Sequence, residues 1–289
     1  PRWILSIVSL TAYVLTKVSV TVYAGALVFQ TLLPDTFGSP QNAFWVGAIT
    51  TVTLTGLYTV AGGLRAVLYT DLLQTIILLI GSTAITYFGL LELGGFNELR
   101  VFASENVAQY ALWRPLSDPD FPWLGILIAS PIVGIWYWCT DQYIVQRTLA
   151  AKDLKTARRG ALLGAFFKIW PVLIFLIPGL IGAALNARGI LEISIDTNGN
   201  IIGDQVFPTM VATLLPEGLR GLVVAGIIAA LMSSLSSLFN STATLFTLDI
   251  YKKIKPKVSE QKLVLIGRMA TLVVVVFGLL WIPIMPMIS

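Results

Sequence analysis

Long runs of apolar residues, each about as long as a bilayer is thick, recur along this chain and decide what it can fold into. A helix needs about 20 mostly apolar residues to cross about 30 Å of hydrocarbon. Seven stretches meet that need: 3–33, 43–63, 66–91, 123–145, 161–185, 220–248 and 263–288. Of the 289 residues, 56% are hydrophobic and 12% charged, with a mean hydropathy of +0.83. Soluble domains carry about twice that charge. The sequence therefore predicts an all-α membrane protein, one transmembrane domain with seven spans. The chain starts at Pro1 and carries no signal-peptide pattern, so we expect a piece of a longer membrane protein.

The loops test the span count, because Lys and Arg collect on the cytoplasmic side of short loops. With Arg2 placed inside, alternation puts Arg65, the loop 146–160 and the loop 249–262 inside as well. The first of those loops holds Arg147, Lys152, Lys155, Arg158 and Arg159. The second holds Lys252, Lys253, Lys255, Lys257 and Lys262. The opposite loops are poor in basic residues or net acidic. The expected arrangement has a cytoplasmic N-terminus and an external C-terminus in a plasma or inner membrane. A net charge of +4 sorted this way needs no nucleic-acid partner.

Outside the spans, Asp196-Thr197-Asn198-Gly199-Asn200 between β-branched runs reads as a hairpin turn. Residues 207–216 read as a short interfacial helix. No His and a single Cys, Cys139, remove His-based acid–base chemistry and Cys-type metal clusters, which disfavours an intramembrane enzyme.

Polar groups at membrane depth are costly and mark function or pairing. Residues 231–247, LMSSLSSLFNSTATLFT, crowd hydroxyls onto one helix. Positions 230, 233, 234, 237, 241 and 244 share a face at 3.6 residues per turn. Such oxygens suit a hard cation. They also suit back-bonding to the helix's own carbonyls and close helix packing. Asp71, near the start of its span, reads as a cation ligand, a partner for Arg65 or a helix cap. Lys168, seven residues into its span, is either a donor to a polar solute or a head that snorkels to the interface. Lys17 and Arg268 read as structural pairs or snorkelled heads. The run Trp136-Tyr137-Trp138-Cys139-Thr140-Asp141 fits an interfacial aromatic belt or a surface for sugar rings. Gly62-Gly63 marks a tight break between two spans.

Three segments, GLYTVAGGLRAVLYTDLLQT (56–75), WYWCTDQYIVQRTLAAK (136–152) and LMSSLSSLFNSTATLFTLDIYKK (231–253), resemble the sodium/solute symporter family, and its sodium/glucose cotransporter branch above all. The resemblance implies a partial leucine-transporter-type inverted-repeat fold, with core helices three to nine present and the first, second and tenth outside the chain. It implies sodium-coupled symport of a sugar or similar polar solute by alternating access, with Na+ as coupling ion and no organic cofactor. Carried over by motif, Ala230, Ser233 and Ser234 match one sodium site. Asp71, Ser236 and Ser237 match a second. Tyr137 matches the aromatic gate and Lys168 a sugar-contacting lysine, with Trp138 and Asp141 beside them as substrate or gate residues. The chain departs from sugar-transporting relatives at Gly134, where they carry a polar residue. Another solute (an amino acid, vitamin, carboxylate or anion) and a non-transporting sensor with the same core are the competing readings.

Overall fold

The computed structural model describes residues 2–111, 113–195 and 201–287. Its regular structure is helical, apart from one antiparallel bridge between Ile195 and Ile201. The turn expected at 196–200 lies outside the described residues.

Among the described residues, five helices are long and apolar enough to cross a bilayer: Trp3–Leu32, Pro40–Leu93, Leu154–Ala187, Glu217–Ile254 and Glu260–Ile284. A further pair, Trp123–Cys139 and Gln142–Leu149, meets at a bend of 48°. The helix Pro40–Leu93 has 54 residues. Straight, it would run about 80 Å, far more than one bilayer. It breaks at Gly63, whose φ of 55° and ψ of −154° suit only a residue without a β-carbon. The Gly62-Gly63 pair thus separates two helices, 40–62 and 64–93. The helix over Gly203–Leu214 starts before the stretch 207–216 read from sequence, and Pro208 lies inside it.

Two of the expected spans are interrupted. In 123–145 the first helix ends at Cys139, and Asp141 caps the next one by accepting the Tyr143 N–H at 3.3 Å. In 161–185 the helix Leu154–Phe167 ends at Lys168, and a π-helical segment, Val172–Leu176, follows. Pro171 has no N–H to continue the ladder, which accounts for the break. The start of Leu154–Phe167 is capped by Asp153, which accepts the Thr156 N–H at 2.7 Å. That bond, from backbone amide to carboxylate, holds the Asp153 carboxyl below its usual range.

The chain divides into two compact units, residues 1–81 with 215–289, and residues 82–214. In the first unit Val18, Val22, Val52, Leu235 and Phe239 are fully buried. The helices 64–93 and Glu217–Thr244 pack so closely there that a β-carbon at Gly226 would lie 3.1 Å from the Ile77 side chain and 3.6 Å from its backbone. A β-carbon at Gly81 would lie 3.0 Å from Val223. Small residues admit such approaches between membrane helices. The pairs 81/223 and 77/226 set an antiparallel register, which carries forward to place residue 233 opposite residue 71. In the second unit Ile181, Leu185, Met210 and Val211 form the core. Arg188 donates to the Leu93 carbonyl at 2.9 Å and pairs with Glu98.

Candidate functional site

That register brings a carboxylate to the hydroxyl helix. Ser233 Oγ donates a hydrogen bond to Asp71 Oδ1, across 162 residues of sequence. Asp71 lies eight residues past the break at Gly63, in the body of its helix, so capping is not its role. Ser233 and Asp71 came from different expected sodium sets, and here they are directly bonded.

The other hydroxyls divide by what they do. Ser236 donates to the Ser233 carbonyl at 2.9 Å and Ser241 to the Ser237 carbonyl at 2.7 Å. Thr242 and Thr244 back-bond to Leu238 and Asn240 at 2.7 and 2.8 Å. These four satisfy the bland expectation for hydroxyls in a membrane helix. Donation still leaves each oxygen its lone pairs. Ser236 and Ser237 are fully buried, whereas Ala230, Ser233 and Ser234 are half-buried. Among the described residues, Ser234 makes no side-chain hydrogen bond. Of the stripe read from sequence, position 244 separates from the rest. It lines a cavity of about 400 Å³ with Thr59, Gly63, Asn240, Thr247 and Arg268.

Two neighbours were missed from sequence. Tyr58 donates to the Met232 carbonyl at 3.0 Å, and its hydroxyl is close enough to Asp71 and Ser236 to be influenced by both. It lies four residues before Gly62, at a place where a membrane Tyr reads as ordinary packing. Gln74 Oε1, one turn beyond Asp71, is buried without a donor among the described residues. Its only sequence signal is its spacing of three from Asp71. The Ser233–Asp71 pair, with Gln74 one turn along the same helix, offers one carboxylate and neutral oxygens of the kind a hard cation takes. Among the described residues no three of His, Cys, Asp and Glu come together. The available set is thus of mostly neutral oxygens with a single negative charge, which suits a monovalent ion.

The second group of expected residues lies in the second unit. Lys168 Nζ sits 5.0 Å from the centre of the Tyr137 ring and 5.9 Å from that of Trp138. The two rings meet edge to face at 5.5 Å. Lys168 is the last residue before the break, its N–H still bonded to the Ala165 carbonyl at 3.1 Å. Tyr137 and Lys168 line a cavity of about 830 Å³, together with Gly134, Ser130 and Asp120. Trp138 and Asp141 are not among its lining residues. Trp138 is 43% exposed, while Asp141 is buried and caps the helix after the bend. Ser130 and Asp120 were not singled out from sequence. Ser130 could have been, because 130, 134 and 137 share one helix face. A β-carbon at Gly134 would meet nothing within 4 Å, so the cavity has room for a polar side chain there.

Lys17 lies over the Tyr13 ring at 4.6 Å, inside a π-helical turn, Tyr13–Val18.

The sequence model of the sodium:solute symporter family matches residues 2–288. The chain is 39% identical to the sodium/myo-inositol cotransporter 2 of Homo sapiens, over 97% of the chain and 44% of that protein. It is 36% identical to the sodium/glucose cotransporter 4 of Danio rerio, over 98% of the chain and 45% of the relative. It is also 36% identical to the sodium/mannose cotransporter of Bos taurus, over 98% and 50%. The chain thus spans about half the length of the curated relatives it matches. A solved structure of a Na+-coupled sialic acid symporter, substrate-bound and outward-open, superposes with a TM-score of 0.79 at 23% identity. The match covers 96% of this chain and 56% of that one, and it shows the leucine-transporter-type fold.

Proposed function

Because the chain belongs to the sodium:solute symporter family, and is a multi-pass membrane protein, we propose that it forms part of a sodium-coupled symporter for a small polyhydroxylated solute. The observation that carries the reading is the bond between Ser233 and Asp71, which holds the one carboxylate of the oxygen cluster against the hydroxyl helix. In this reading Ala230, Ser233 and Ser234 contribute to one sodium site, and Asp71, Ser236 and Ser237 to a second that shares the Ser233–Asp71 link. Tyr137 and Lys168 contact the solute. Trp138 backs Lys168 from outside the cavity, and Asp141 shapes the bend that presents Tyr137. Seven crossings follow if Gly63 divides two spans and the bent pair makes one. The basic loops 146–160 and 249–262 then face the cytoplasm, with the N-terminus inside and the C-terminus outside, in a plasma or inner membrane.

The coupling is a matter of linkage. A sodium ion that binds one conformation more tightly shifts the population toward it, and only that differential affinity can do work on the solute. The membrane potential adds about 2.3 kcal/mol per elementary charge per 100 mV. A second ion therefore about doubles the electrical driving force. The hydroxyls and carboxylate hold the ion, and the ammonium and aromatic faces orient hydroxyl-rich solute. The names of the relatives support a polyol or hexose, and the room at Gly134 supports one that needs no polar contact there.

The test is uptake by the full-length protein in sealed vesicles, with an imposed sodium gradient and radiolabelled myo-inositol, glucose or mannose. We expect sodium-dependent accumulation of at least one. Ser234→Ala should raise the sodium concentration for half-maximal uptake several-fold. Solute binding without sodium-dependent flux would overturn the reading in favour of a sensor. An unchanged sodium requirement in Ser234→Ala would remove that serine from the site.

A further inference from the structure

On the first unit, away from the oxygen cluster, two surfaces of opposite character join at one residue. The first is an apolar groove of about 780 Å³. Ile266, Met269, Val273 and Phe277 of the helix Glu260–Trp281 form one wall, and Leu10 and Val14 of the first helix form the other. The second is a hollow of about 650 Å³ lined by Lys255, Lys257, Lys262, Ser259 and Tyr251. Tyr251 lines both. The sequence register makes the join continuous. Positions 262, 266, 269, 273 and 277 recur at intervals of four and three, so Lys262 stands on the same helix face as the groove wall, one turn below it.

The charges at that end are available. Among the described residues, no acid pairs with Lys257 or Lys262, and Lys255 rests 5.9 Å over the Tyr251 ring. The neighbouring acid, Glu260, is bound to Lys252 at 3.4 Å. The helix Glu260–Trp281 begins beside the hollow, with Ser259 accepting the Lys262 N–H at 3.4 Å. Its positive end adds to the field of the lysines. From Ile266 to Trp281 the groove wall runs about 22 Å along the helix, comparable to an extended acyl chain.

We infer that this surface binds one anionic glycerophospholipid, its phosphate among Lys255, Lys257 and Lys262 and an acyl chain in the groove above Tyr251. A water-soluble anion would use the lysines and leave the groove exposed. A packed helix would fill the groove and leave the lysines idle. A lipid from the leaflet that the lysines face matches both at once. Basic residues near a membrane surface favour anionic lipids additively. The inference does not depend on the sodium or solute assignments.

The experiment uses full-length protein in micelles with equimolar phosphatidylglycerol and phosphatidylcholine, read by native mass spectrometry. Wild type should retain phosphatidylglycerol in preference by about tenfold or more, as three lysines warrant. The combined variant K255Q/K257Q/K262Q should lose that preference. Ala270→Trp, which fills the groove, should reduce retention of both lipids. A spin label at Val273→Cys, with Cys139→Ser, should be accessible to oxygen in bilayers. Equal retention of the two lipids by wild type, or an undiminished preference in the triple lysine variant, would overturn the inference. So would a label at 273 shielded from oxygen, because another helix would then occupy the groove.

Discussion

The oxygen cluster of the first unit and the aromatic–lysine cavity of the second solve opposite problems. Ser236 and Ser237 are fully buried, Ser233 is tied to Asp71, and Tyr58 is tied to the Met232 carbonyl. Those groups are positioned by the chain itself before any ligand arrives. Tyr137 is half-buried and Lys168 exposed, on helices that bury no side chain of their own. Positioning matters for a small ion, because a shift of a few tenths of an ångström changes every ion–oxygen distance. A larger solute with several hydroxyls tolerates a looser frame and supplies part of its own burial. If the first cluster holds sodium and the second the solute, as proposed, the two should fail separately.

The largest effect should come from Asp71→Asn. A hydrogen bond to a charged group is worth about 1.5–3 kcal/mol, so sodium affinity should fall about tenfold to a hundredfold. The number of ions moved per solute, measured from the reversal potential, should also fall. Next is Lys168→Met, which removes a cation over two rings. Cation–π contacts contribute about 0.5–2 kcal/mol, so the solute KM should rise from a few-fold to about thirtyfold while the sodium requirement stays fixed. If Lys168→Met moves sodium affinity as far as Asp71→Asn does, the separation fails. Tyr58→Phe removes one neutral bond, worth about 0.5–1.5 kcal/mol. The sodium requirement should rise a few-fold, with solute KM unaltered. The smallest effect is expected from Gly134→Asn, which adds a polar group where the cavity has room. The ratio of uptake between hexose and inositol should change two- to fivefold, at constant sodium dependence, in a competition assay. A loss of all uptake would mean that the space at 134 is needed for the solute itself.

Much of this was legible in the chain. The apolar runs marked where helices lie, because crossing a bilayer is a demand on each segment alone. The Gly62-Gly63 pair marked the break at Gly63, because only glycine takes that backbone conformation at little cost. The segment motifs marked the family, and the comparisons bear that out. Two further breaks follow from local rules. Asp141 after an apolar run is a helix N-cap signal, and Pro171 cannot continue the ladder through Lys168. By contrast, Ser241 and Thr244 of the hydroxyl stripe, with Ser236 and Thr242 beside it, are back-bonded to their own helix. Periodicity tells which side a residue faces, but a Ser can satisfy itself locally on any side.

The sequence by itself determined that apolar helices form, and that a carboxylate, hydroxyls, aromatic rings and a lysine lie within the apolar runs. Tertiary structure alone decided that Ser233 meets Asp71, that Tyr58 reaches the Met232 carbonyl, and that Trp138 and Asp141 stand outside the cavity lined by Tyr137 and Lys168. The reason is register. One helix's composition cannot say how far it slides along another; that was set here by close contact at Gly226 and Gly81, more than a hundred residues apart in the chain.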